Sequence, residues 1–212
     1  MSIYKLLHIC LFIFLLANNS FAQFQTSIWG GVNNSSFGGS TPKDASYGSI
    51  YGAAFGANLD FQATEDFVIS LEPSFEQKGS KIDFNIEEGL QDTTLTYKIM
   101  QNYFGLGLLF KVNAGNFFIG SGVSAQLLSS ATLEFESEET DIKDKFINYD
   151  AVAFFNLGYK IPIGGPSIFI ELRYIQGLLN IRSKESESGT EIYLSDFKST
   201  GVRLSTGILI PL

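Results

Sequence analysis

The sequence predicts an all-β fold, an eight-stranded antiparallel up-and-down transmembrane β-barrel. Three observations carry that expectation. Eight segments alternate apolar and polar residues with the two-residue period of a strand. Each runs to about a dozen residues or more, beyond the ~5–6 of an ordinary globular strand and past the ~9–11 that cross a bilayer at a tilt. The connections alternate between short and long, as they do when short turns lie in the periplasm and long loops outside.

In residues 24–35, Thr26, Ile28 and Val32 oppose Gln25, Ser27, Asn33 and Ser35, with Trp29 interrupting the polar side. Residues 50–63 set Tyr51, Phe55, Leu59 and Phe61 against Gly52, Asn58, Asp60 and Gln62. After a turn at 64–66, residues 67–78 set Phe67, Ile69, Leu71 and Phe75 against Ser70, Glu72, Glu76 and Lys78; Pro73 is expected to mark a bulge, because it cannot donate to the ladder. Residues 100–112 place Phe104, Leu106, Leu108 and Phe110 opposite Gln101, Tyr103 and Lys111, and 113–116 make a tight turn.

Residues 117–128 oppose Ile119, Val123 and Leu127 to Gly120, Ser124 and Gln126. Residues 149–161 oppose Phe155, Leu157 and Tyr159 to Asp150, Asn156 and Lys160, with Val152 and Phe154 out of pattern. After a turn at 162–166, residues 168–181 give Ile168, Ile170, Leu172 and Tyr174 on one face and Phe169, Glu171, Arg173 and Ile175 on the other. Residues 199–212 close the set, with Val202, Leu204, Ile208 and Ile210 opposing Arg203 and Ser205. The intervening stretches 36–49, 79–95, 129–148 and 182–198 read as four long polar loops. Phe61, Phe67, Phe110, Phe117 and Tyr159 flank the short turns, where an interfacial aromatic girdle belongs.

The polar faces collect Asp60, Glu72, Glu76, Asp150 and Glu171 against Lys78, Lys111, Lys160, Arg173 and Arg203. The interior of so small a barrel is only wide enough for side chains, so these groups should pair as a structural lumen charge network. Glu171, Arg173 and Arg203 are expected at its centre. A narrow gated pore is the alternative use of the same face. A soluble lipocalin-like barrel binding a small apolar ligand is another reading, with the apolar faces turned inward.

The first residues read as a signal peptide over 1–22, with Lys5, an apolar run over 6–17 and Ser20-Phe21-Ala22 as the cleavage pattern, leaving 23–212 as the barrel domain. His8 and Cys10, the single histidine and cysteine, would leave with it. A mature chain without imidazole or thiol is not expected to be an enzyme or to hold a metal or cofactor. The net charge of -8 argues against nucleic acid. Glu134, Glu136, Glu138, Glu139, Asp141 and Asp144 make a dense acidic run without ordered calcium-ligand spacing, so it reads as a solvated loop.

Three stretches resemble the PorT-like outer-membrane β-barrel family of Gram-negative bacteria: Gly30-Gly31-Val32-Asn33-Asn34-Ser35, Leu71-Glu72-Pro73-Ser74-Phe75-Glu76-Gln77-Lys78-Gly79 and, most specifically, Glu171-Leu172-Arg173-Tyr174-Ile175-Gln176-Gly177-Leu178-Leu179-Asn180-Ile181. The order of strands between them extends the likeness over nearly the whole mature chain. Gln101-Asn102-Tyr103-Phe104-Gly105 departs from the Ile-Pro-Leu-like stretch of that family, and Pro211-Leu212 stands where outer-membrane barrels commonly end in an aromatic residue. The resemblance implies an eight-stranded barrel in the outer membrane, with lipid and the barrel-insertion machinery as partners. The family's namesake is linked to protein secretion and surface assembly, which implies such proteins as partners of the outer loops.

Overall fold

The computed structural model describes residues 23–41, 44–88, 91–182 and 197–212. The expected signal peptide lies outside the described residues. The strands are β1 (Gln23–Gly39), β2 (Ala45–Gly48), β3 (Ile50–Gln62), β4 (Phe67–Glu88), β5 (Gln91–Ala114), β6 (Phe117–Phe135), β7 (Glu138–Asp141), β8 (Tyr149–Pro162), β9 (Ser167–Gly177) and β10 (Phe197–Pro211), with a single 3-10 turn at Lys143–Lys145. Eight of them form a closed antiparallel ring, β1-β3-β4-β5-β6-β8-β9-β10, in which the last strand pairs back onto the first. The short β2 and β7 add to β4 and β6 at the end carrying the long connections.

The ring is apolar outside and polar inside. Ile28, Tyr51 and Leu127 are 63%, 72% and 65% exposed on the outer surface, whereas Arg203 and Asn156 are fully buried within. That distribution fits lipid as the solvent and excludes the arrangement with an apolar ligand cavity. At the end with the short turns, Phe24 faces Phe61, Phe67 faces Phe110 and Phe117 faces Tyr159, with centroids 5.5, 6.3 and 4.7 Å apart. The turns there are tight: Gly115 has φ 63°, and Gly164 and Gly165 have φ 88° and 124°, values that suit glycine.

Towards the other end every ring strand switches its outward residue from apolar to amide or hydroxyl, at Asn34, Tyr51, Gln77, Asn102, Ser130, Tyr149, Gln176 and Thr200. Part of this collar is hydrogen-bonded laterally: Gln77 donates to Asn102 Oδ1 at 3.2 Å, and Asn102 donates to Ser130 Oγ at 2.9 Å. On β4 (Phe67 to Phe75) and β5 (Phe104 to Val112) the outward apolar run spans eight residue steps, which at ~3.3 Å and a ~45° tilt gives an apolar band about 19 Å tall.

Beyond the collar the structure departs from the expected loop at 79–95. β4 runs on to Glu88 and β5 begins at Gln91, so most of that stretch is strand. The sequence pattern hides this because its polarity inverts above the lipid: Ile82 and Ile99 now point inward and are fully buried, while Lys81 is exposed outward. The expected loop at 129–148 likewise holds the end of β6 and all of β7. The expected strand at 168–181 ends early, at Gly177, and Ile181 turns inward to join an apolar cluster.

Pro73 marks no bulge. It stays in register opposite Leu106, and on the β3 side the pairing resumes at Leu59↔Leu71 with the register unchanged. The shift lies instead between Asn102 and Tyr103, which face Ser130 and Leu128. The extra Ser129 reverses the side-chain parity of β6, so that Ala131 faces inward where continuous alternation would turn it out.

Candidate functional site

The lumen is layered. Nearest the short turns, Trp29, Ala54, Phe118 and Phe169 form an apolar layer. Leu109, Val152, Phe154 and Ile175 form a second cluster against the barrel wall. Trp29, Val152 and Phe154, which break the sequence alternation, are therefore interior packing: the Arg203 guanidinium lies over Trp29 and that of Arg173 over Phe154, 3.9 and 4.2 Å from the ring centres.

The charged layer lies between the walls. Arg173 forks onto Glu72, at 2.5 Å to Oε1 and 2.8 Å to Oε2, and donates through Nε to Glu171 at 2.9 Å. Arg203 reaches Glu76 at 3.2 Å, Glu72 at 3.5 Å and Glu171 at 3.6 Å. Two arginines thus share three carboxylates. Asn156 donates to the remaining oxygen of Glu171 at 2.7 Å, and Asn58, with its amide turned to donate, reaches Glu72 at 3.0 Å. The planar guanidinium fork matches a carboxylate at two points, which a lysine could not do.

Two further pairs flank this group. Lys78 contacts Asp150 at 2.8 Å, Gln126 at 2.6 Å and Ser199 at 3.2 Å, beneath the ring of Tyr103. Lys111 contacts Asp60 at 2.8 Å. Of the ten charged residues expected to share one network, nine make ion pairs, gathered in three sets, and Gln126 joins two of these by accepting from Lys78 and donating to Glu76 at 3.2 Å. Lys160 departs from the expectation: it is half-buried near the short turns, donates to Asn113 Oδ1 at 2.8 Å and faces the Phe118 ring at 5.6 Å. Its place at the end of the lumen lets the ammonium reach a turn amide, so it needs no carboxylate.

Above the charges, Phe37, Ile82, Ile99, Leu128, Ala131, Phe146, Ile181 and Phe197 close the outer mouth as a single apolar cluster. Phe37 stacks on Phe197 with centroids 4.2 Å apart, joining the end of β1 to the start of β10. The 3-10 turn delivers Phe146, and the chain leaving β9 delivers Ile181. Sequence reasoning missed this cap because Phe37, Ile82, Ala131, Phe146 and Phe197 lie in stretches that read as polar loops; the signal was the inverted alternation around Ile82 and Ile99. The acidic run spreads along β7 and its flanks, with Glu134 held by Lys98 at 2.8 Å and β7 exposed.

The chain matches the family model described as Outer membrane protein beta-barrel domain over residues 17–183. No curated protein matches it. Among solved crystal structures it is similar to Neisserial surface protein A at 8% identity, over 88% of this chain and 97% of that one, with a TM-score of 0.48. It is similar to Ail, the attachment invasion locus protein of Yersinia pestis, at 13% identity over 88% and 98%, TM-score 0.40. It is also similar to OprG of Pseudomonas aeruginosa, at 14% identity over 89% and 96%, TM-score 0.40.

Proposed function

The chain belongs to the outer membrane protein beta-barrel domain family, and from that premise we propose that it works as a non-enzymatic binding or structural protein of the PorT-like type, acting through its outer end. It is a small β-barrel protein of the cell outer membrane. The observation that carries the proposal is the sealed lumen: two arginines clasp three carboxylates inside the lipid-spanning ring, between apolar layers towards either mouth. A barrel so filled anchors what it carries outside. The extended β4, β5 and β6, with β2 and β7, supply a folded outer wall on which a partner protein could be held.

Three further considerations support the reading. The stretches 71–79 and 171–181 that resemble the PorT-like family supply all three clasped carboxylates, Glu72, Glu76 and Glu171, and one of the two arginines, Arg173. A link to secretion or surface assembly accords with partners on the outer wall. Non-enzymatic action accords with a lumen whose acids are engaged by arginine, since a carboxylate held that way is a poor proton carrier.

The test is planar-bilayer conductance of the purified, reconstituted protein. Baseline current, with the protein shown to be inserted by its heat-modifiable migration, is the expected result. A steady ohmic current would replace this reading with a narrow pore.

A further inference from the structure

Strand β5 outruns its neighbour at the outer end. Its pairing with β4 continues to Glu88↔Gln91, whereas its pairing with β6 stops at Lys98↔Glu134. β6 stops there because Glu136 and Ser137, at φ 47° and 71°, turn the chain back into β7. Residues 91–96 therefore pair with β4 on one side and, among the described residues, with no strand on the other. Their open side presents a row of backbone donors and acceptors to water.

Gln91-Asp92-Thr93-Thr94-Leu95-Thr96 contains no proline, glycine or lysine to blunt this free edge; its single charged residue is Asp92, and threonine favours the extended conformation. Thr94 and Thr96 are exposed and Leu95 is half-buried. Thr94 lies eight residues above Asn102 of the polar collar, roughly 19 Å further out at the strand rise and tilt of such barrels. The edge is thus clear of the lipid.

Charge selects the occupant. The outer wall around the edge carries Asp83, Glu134, Glu136, Glu138, Glu139 and Asp141 against Lys81 and Lys98, and Lys98 is already paired with Glu134. A second copy pairing edge to edge would bring the same carboxylates together and be repelled. We propose that residues 91–96 accept an extended, lysine- or arginine-rich segment of a partner protein as an added strand, backbone to backbone, with the surrounding carboxylates receiving its cations. This rests on the binding role above and names the chemistry of the partner.

The experiment measures anisotropy of a fluorescent nonapeptide of alternating lysine and valine against the full protein, folded in detergent micelles. Two N-methylated versions of the peptide, each blocking alternate amides, are run beside it. The expected result is that one methylated version binds about tenfold or more weakly while the other keeps its affinity, since only one set of amides faces β5. Leu95→Pro and Thr96→Pro, each checked for an intact heat-modifiable barrel, are expected to lose binding by a similar factor.

Equal binding of both methylated peptides would reduce the contact to bulk charge and overturn the proposal. So would binding unchanged in both proline variants, which leaves the binding role standing but places it elsewhere on the wall. Self-association in sedimentation that the proline variants abolish would assign the edge to a second copy instead. Loss of all peptide binding together with steady bilayer current would sink both this inference and the binding role beneath it.

Discussion

Arg203 lies over the indole of Trp29, its guanidinium carbon 3.9 Å from the ring centre, although the two residues sit at opposite ends of the chain. They meet because β1 and β10 pair directly, with Trp29↔Gly207 and Asn33↔Arg203 in one ladder. Trp29 in turn rests against Gly56, where an added Cβ would lie 2.7 Å from the indole. Trp29→Ala should cost about 3 kcal/mol through lost packing and a loosened Arg203. Gly56→Val should also destabilise, by overpacking. Both are read as a lower temperature of the heat-modifiable band shift; an unchanged shift temperature for Trp29→Ala would mean the lumen repacks without it.

Arg173→Ala leaves the buried Glu72 and Glu171 with only the longer contacts to Arg203, at 3.5 and 3.6 Å. A broken buried pair costs on the order of 3–5 kcal/mol, whereas replacing a whole pair by neutral groups costs much less. Arg173→Met combined with Glu72→Gln should therefore recover part of the loss. A double-mutant cycle on thermal unfolding in detergent measures the coupling, and additive single effects would contradict the clasp.

The Lys98–Glu134 pair is a contrasting case at the same 2.8 Å separation. Both side chains are about a third or more exposed, so Glu134→Gln should change stability by no more than about 0.5 kcal/mol. A loss as large as that of Arg173→Ala would show that the outer wall is drier than its exposure indicates.

Deleting Ser129 removes the extra residue of the β6 bulge. Ser130 then follows Leu128 directly and faces outward, and Ala131, now two residues from Leu128, keeps its inward place by ordinary alternation, with the lipid-facing ladder from Phe117 to Leu127 untouched. The deletion should therefore leave the outer wall as resistant to limited proteolysis as the parent, with a band that still shifts on boiling. Heightened protease sensitivity would show that the cap depends on the twist of the bulge and not only on the facing of its side chains.

Within the lipid the fold was legible in the sequence because the outward positions of each strand are apolar and most inward ones polar, Trp29, Val152 and Phe154 being exceptions that pack in the lumen. Glu72, Arg173 and Arg203 were readable for the same reason: charge on a face opposite Leu71, Leu172 and Leu204 has only the lumen to occupy. Above the collar the solvent changes from lipid to water, and the rule reverses on the same strands. Ile82 then looked like an isolated apolar residue in a polar loop, and Ile99 fell between that loop and the next expected strand. Individual ion-pair partners were also beyond the sequence, because pairing across the barrel depends on strand tilt; Glu72 and Arg173 meet from opposite walls, and Lys160 finds an amide.

The order in which the chain supplies its charges bears on how the barrel is completed. β4 brings Glu72 and Glu76 early, while their guanidinium partners arrive only with β9 and β10, the final strands. A half-made sheet holds its acids bare and must keep them wet. Neutralisation coincides with the joining of β10 to β1, so expulsion of water from the lumen and sealing of the seam are one event, and partly zipped intermediates with a dry interior are disfavoured. Insertion is thereby biased towards all-or-none closure by residues that never touch the lipid.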